Sequence, residues 1–193
     1  MRLCADGWFS GVHRRPSPNQ DARPEGVAVD LLVLHCIALP PRHYGGPGVY
    51  QLFANTLDPR AHPYYAQIAE LRVSAHLWLR RSGAVVQFVG LEQRAWHAGV
   101  SQWQGRERCN DYSIGIELEG RDDGPYTAAQ YRQLARLTRQ IQRAYPGIGA
   151  ERIVAHSDIA PGRKTDPGPG FDWGRLRRLL GPPGTVPPEA AAT

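Results

Sequence analysis

The sequence predicts an α/β fold of mixed α+β character, with a central mixed β-sheet flanked by helices in one domain. Three stretches carry that reading. Val29–Cys36 is apolar on both faces and reads as a central strand. Ser113–Glu119 alternates, with Ile114, Ile116 and Leu118 on one face and Ser113, Gly115, Glu117 and Glu119 on the other. Thr127–Tyr145 is a long amphipathic helix, with Tyr131, Leu134, Thr138, Ile141 and Tyr145 on one side. Its start is written as a capping box, Thr127 with Gln130, and Pro146-Gly147 stops it.

The remaining elements follow in order. Residues 1–26 are broken by Arg14, Arg15, Pro16, Pro18 and Arg23, so an irregular lead-in is expected, anchored by Trp8 and Phe9. In the first strand, alternation sets Leu31, Val33 and His35 against Leu32, Leu34 and Cys36, and points Cys36 into packing. Residues 39–48 hold three prolines and three glycines and read as a loop. Short helices are expected near Val49–Asn55 and Tyr64–Leu71. Ala75–Arg80 and Ala84–Val89 form a hairpin across Arg81-Ser82-Gly83. Arg94 to Asp111 reads as loop. Ile153–His156 is a short strand, and Asp172 caps a closing helix to Leu180. The domain is expected over 27–180, and the Pro/Gly/Ala-rich residues 181–193 are expected to be a disordered tail.

Composition narrows the function. The net charge of +5 raises an anionic partner, but the arginines are dispersed and no basic run interleaves with aromatics, so no nucleic-acid partner is expected. The longest apolar run, Leu31–Leu34, is far too short for a membrane span, so no membrane partner is expected either. Three cysteines without a recognisable export signal point to reduced thiols and a cytoplasmic setting.

The densest chemistry runs from His156 to Trp173. After the histidine comes a loop with three prolines and three glycines, carrying Lys164 and Asp166. Lys164 is the only lysine among 23 Lys plus Arg residues. An ammonium is a compact charge suited to a developing oxyanion or a proton in transfer. His35 and His156 each end a buried apolar stretch, and active sites in helix-flanked sheets gather beyond the C-terminal ends of strands. With Asp166 as a third donor, His35 and His156 give two imidazoles and a carboxylate, the open set of a catalytic zinc ion. Either histidine alone reads more readily as a satisfied core residue than as a ligand; the joint placement carries the assignment. Glu117 is the candidate acid/base. Gly115 leaves space beside it, and like charge at Glu119 on the same face would raise its pKa.

These residues sit in segments that resemble the zinc-dependent N-acetylmuramoyl-L-alanine amidases, which share a fold with T7-type lysozyme and the peptidoglycan recognition proteins. The matching segments are 34–41, 71–76, 94–101, 104–111, 113–120 and 156–168, including Trp-His-Ala-Gly, Gly-Ile-Glu and Arg-Lys-Thr-Asp-Pro-Gly. The resemblance implies zinc at His35, His156 and Asp166, catalysis by Glu117 and Lys164, and substrate contacts at Arg72, Trp96 and Arg108. It implies a muropeptide as the small-molecule partner, cleaved between the lactyl group of a 1,6-anhydromuramyl sugar and L-alanine during recycling of wall fragments, with a link to β-lactamase induction. A monomer is expected. The chain departs from the family after the first histidine, where Cys36 stands in place of the usual Asn. That departure bears on substrate orientation and leaves the metal set intact. A rival on the same fold is a non-catalytic muropeptide sensor.

Overall fold

In the computed structural model, which describes residues 1–181, the chain forms a six-stranded sheet with helices on both faces. Taken in order, the elements are β1 (His13–Arg14), β2 (Gln20–Ala22), β3 (Leu31–Ile37), α1 (Gly48–Phe53), α2 (Pro63–Ile68), β4 (Leu77–Leu79), β5 (Val85–Gln87) and β6 (Gln93–Ala95). They continue with β7 (Gln102–Trp103), β8 (Arg106–Glu107), β9 (Ser113–Glu119), α3 (Ala128–Ala144), β10 (Ile153–Ala155), α4 (His156–Ile159) and α5 (Trp173–Leu180). The sheet order is β1-β5-β4-β9-β3-β10, parallel throughout except for the β4–β5 hairpin. All of the expected tail except Gly181 lies outside the described residues.

The alternation read from the sequence decides what each sheet face buries. Leu32, Leu34, Ile114, Ile116 and Leu118 pack with Leu134, Leu137 and Ile141 of α3 and Leu176 of α5. Removing that apolar surface from water, at roughly 25 cal/mol per Å², is the main force holding helices to sheet. The opposite face carries two smaller cores. One gathers Val49, Leu52, Phe53, Tyr65 and Trp78 beneath α1 and α2. The other gathers Leu31, Val33, Ala98, Cys109, Tyr112, Val154 and Ile159. The site described below lies beyond β3 and β9 on this face.

Helix α3 begins as the capping box requires. Thr127 Oγ1 accepts the Gln130 N–H at 3.1 Å and Gln130 Oε1 accepts the Thr127 N–H at 3.0 Å. Asp172 Oδ1 caps α5 by accepting the Arg175 N–H at 2.8 Å. At the other end, β10 stops one residue earlier than expected. Asp158 Oδ2 accepts the Ala155 N–H at 2.8 Å, so His156 opens a short helix instead of ending the strand.

The lead-in is more regular than its composition suggested. β1 pairs parallel to β5 and β2 antiparallel to β6, while Phe9 is fully buried in the α3-side core. Arg23 enters the interior, where Nη1 donates to the Asn110 and Asp111 carbonyls and Nη2 to those of Leu91 and Ser113. Burial pushes its pKa down to about 10, still charged at neutral pH.

Beside it sits His76, whose Nδ1 accepts the Gly115 N–H at 3.0 Å and whose Nε2–H donates to the Gln93 carbonyl at 3.0 Å. Burial first, then the Arg23 charge, push the His76 pKa down to about 3. An unfolded histidine takes its proton near 6.5. The favourable contribution is therefore complete above about pH 6.5 and is lost as pH falls toward 3. Each such proton steepens the stability curve by ~1.4 kcal/mol per pH unit. In the His76→Gln variant, urea unfolding at pH 6 and pH 4 should show a slope shallower by about one proton. An unchanged slope would remove His76 as the titrating group.

Candidate active site

Register builds the floor of the site. β3 and β9 run parallel with His35 opposite Glu117, and β9 and β4 with Glu117 opposite Trp78. β10 pairs with β3 through Ala155 and Leu34, so His156, one residue on, arrives beside His35. The loop after α4 then returns Asp166, whose carbonyl accepts the Ser157 N–H at 3.1 Å. The five residues expected to carry chemistry, His35, Glu117, His156, Lys164 and Asp166, are thus near neighbours in the fold.

His35 Nδ1 lies 2.8 Å from His156 Nδ1, and Asp166 Oδ2 lies 3.3 Å and 3.1 Å from the two nitrogens. Both rings are buried. Burial drives the His35 pKa down to about 4, despite the opposing pull of Asp166, so the ring is neutral at pH 7. Two imidazole nitrogens and a carboxylate oxygen converge within 4.8 Å. This donor set suits a zinc ion, which takes His nitrogen and carboxylate oxygen and in catalytic sites leaves a position free.

Glu117, Lys164 and Asp166 all line a cleft of about 440 Å³, with His97 and His156 at its base and Leu39, Tyr64 and Ile68 among its apolar walls. Glu117 Oε2 is shielded from solvent yet has no hydrogen-bond partner. An unpaired buried oxygen is costly to maintain, and here it belongs to the group proposed to move a proton. Burial, then the Asp166 charge, raise the Glu117 pKa well above its ordinary value, and Lys164 opposes the rise. The expected source of that rise was Glu119, and this is corrected. Glu119 instead accepts the Gly45 and Arg81 N–H groups at 2.6 and 2.9 Å and faces Arg80.

The space left by Gly115 also has a different owner. A Cβ there would stand 2.5–2.7 Å from the His97 ring, so the missing side chain makes room for His97, not for Glu117. Cys36 packs partly against the α3-side core, as alternation implied, and also reaches the cleft wall; burial pushes its thiol up to about 12.

The three residues expected to touch substrate are not among those lining the cleft. Arg72 folds back on the end of α2, donating to the Ala69 and Leu71 carbonyls. Trp96 Nε1 donates to Asp21 at 3.1 Å, beside the Arg94–Asp21 ion pair that joins β6 to β2. Arg108 pairs with Asp111 at 3.2 Å. Sequence reasoning missed His97. It lay in a stretch read as loop, and its signal was the Gly115 that accommodates it.

The profile of the N-acetylmuramoyl-L-alanine amidase family matches residues 25–169. The 1,6-anhydro-N-acetylmuramyl-L-alanine amidase AmpD of Escherichia coli K12 is 58% identical over 178 residues, covering 92% of this chain and 97% of its own. A crystal structure of a selenomethionine AmpD derivative superposes with a TM-score of 0.91 at 56% identity, covering 94% of this chain and all of that one (100%). The E. coli N-acetylmuramyl-L-alanine amidase AmiD has been solved with the substrate anhydro-N-acetylmuramic acid-L-Ala-D-γ-Glu-L-Lys. It matches with a TM-score of 0.58 at 31% identity, covering 81% of this chain and 60% of its own. Buried imidazoles, carboxylate and cleft therefore stand on a chain that belongs to the N-acetylmuramoyl-L-alanine amidase family.

Proposed function

We propose that this protein is a zinc-dependent amidase. It hydrolyses the bond between the lactyl group of 1,6-anhydro-N-acetylmuramic acid and the L-alanine of the stem peptide, recycling wall fragments in the cytoplasm. The observation that carries the reaction type is the unpaired Glu117 oxygen in the cleft where His35, His156 and Asp166 converge. The names of the similar enzymes support the substrate. The three free cysteines suit a reducing compartment, and no helix among the described residues is long and apolar enough to cross a membrane.

His35 Nδ1, His156 Nδ1 and Asp166 would hold the ion, which when bound supplies Lewis acidity to acidify water and polarise a carbonyl. Glu117 accepts the proton of the attacking water. Its raised pKa brings the carboxylate's basicity closer to neutral pH, where proton transfer in both directions is efficient. It then returns the proton to the departing amine of L-alanine, which leaves as a neutral group. Lys164, exposed on the loop beside Asp166, offers its ammonium to the oxygen that gains charge. No step is assigned to Arg72, Trp96 or Arg108.

The test is release of free tripeptide from 1,6-anhydro-MurNAc-tripeptide by the purified protein, stopped by a chelator and restored by zinc. Binding of the muropeptide without cleavage at full zinc loading would support a sensor instead. Lys164→Ala should lower turnover on the order of 10²–10³-fold, typical for loss of one oxyanion donor, with zinc content unchanged. Near-normal turnover in that variant would take Lys164 out of the mechanism.

A further inference from the structure

The outward nitrogens of both buried imidazoles end on one short segment. His35 Nε2 lies 2.9 Å from His97 Nδ1, and His156 Nε2 lies 3.2 Å from the Ala98 carbonyl oxygen. The proton positions can be worked out from the far end. The Cys109 carbonyl can only accept, so the Ser113 hydroxyl donates to it at 2.5 Å. Ser113 Oγ then accepts from His97 Nε2–H at 3.2 Å, which leaves His97 Nδ1 bare. A bare Nδ1 takes the Nε2–H of His35. The Ala98 carbonyl likewise takes the Nε2–H of His156. Each ring therefore turns an unprotonated Nδ1 toward Asp166 and the other ring. Three acceptors face one another with no donor among them, an arrangement that calls for a cation.

The segment is itself held on all sides. Asn110 Oδ1 accepts the N–H groups of both His97 and Ala98, at 3.1 and 2.8 Å. Gly115 gives the His97 ring its seat. Arg163, next to Lys164, donates to the Ala98 and Val100 carbonyls, both at 2.6 Å.

We propose that His97-Ala98, clamped by Asn110, is the positioning element of the metal site. It fixes the tautomer and orientation of both histidine ligands before any ion arrives. This rests on the metal-site reading above. His97 acts on the site through its contact with His35. Partners of this kind typically govern 10–100-fold in metal affinity.

Zinc affinity, measured by competition with a chromophoric chelator, tests the proposal without reference to turnover. His97→Phe fills the space but accepts no hydrogen bond, and should weaken zinc binding about 10–100-fold. His97→Asn, whose Oδ1 can take the place of Nδ1, should recover most of that loss. Asn110→Ala should weaken binding with every ligand and His97 itself intact, and Asn110→Asp, which keeps the acceptor, should restore it. Long-range 1H–15N NMR of the metal-free wild type should show His35, His97 and His156 all protonated at Nε2. Wild-type affinity in His97→Phe would overturn the proposal, as would equal losses in His97→Phe and His97→Asn. A wild type that binds no zinc would instead count against the metal-site reading, and the ring tautomers would then decide the hydrogen-bond assignment.

Discussion

Replacing Glu117 by Gln is expected to lower turnover by about 10²–10⁴-fold, the range that a positioned general base supplies. Zinc content and thermal stability should hold. Gln matches Glu in shape, and Glu117 Oε2 accepts no hydrogen bond whose loss would unsettle the fold. The change removes basicity and little else. The pH profile of the wild type gives a second check with a defined sign. A base works in its ionised form, so kcat/KM should rise as pH rises through the Glu117 pKa. Burial and the Asp166 charge place that pKa well above the ordinary carboxylate value, so the acid limb should lie at higher pH than a solvated glutamate would give. A Glu117→Gln enzyme within a few-fold of wild type would mean that another group takes the proton.

The site was legible in the sequence where chemistry and periodicity coincide. His35 and Glu117 lie near the C-terminal ends of β3 and β9, and side-chain alternation puts both on the sheet face opposite the α3-side core. Parallel register between β3 and β9, which sets them opposite each other, follows from burying Ile114, Ile116 and Leu118 together with Leu32 and Leu34. His97 was not legible for the opposite reason. Residues 94–111 have no helical or strand period. They are held by contacts distant in sequence, Arg94 with Asp21 and Asp111, and Asn110 with the backbone at 97 and 98. The short strands β1 and β2 escaped for a similar reason, since two or three residues carry no measurable alternation and their pairing is decided by β5 and β6. Glu119 misled because shared parity on a strand is not proximity. Two residues along, its carboxylate meets the loop N–H groups of Gly45 and Arg81 instead of Glu117.

Asp166→Ala is expected to abolish zinc-dependent turnover and, with it, the stabilisation that zinc confers on the fold. In the wild type, zinc at about 1,000 times its Kd should stabilise by ~4 kcal/mol if it binds only the folded chain. Calorimetry should show this as a rise in Tm that a chelator reverses. Asp166 Oδ2 is the sole carboxylate among the three donors and lies within 3.3 Å of both ring nitrogens, so its removal leaves two imidazole nitrogens to hold a doubly charged ion. The Tm of Asp166→Ala should then respond little to zinc at the same concentration. The metal-free comparison separates ligand loss from misfolding. Asp166 is half-buried on the loop, and its backbone carbonyl, which accepts the Ser157 N–H, survives the substitution. Metal-free variant and metal-free wild type should therefore melt close together. A full zinc response in Asp166→Ala would show that the ion is held elsewhere, and the reading of His35, His156 and Asp166 as its ligands would fall with it.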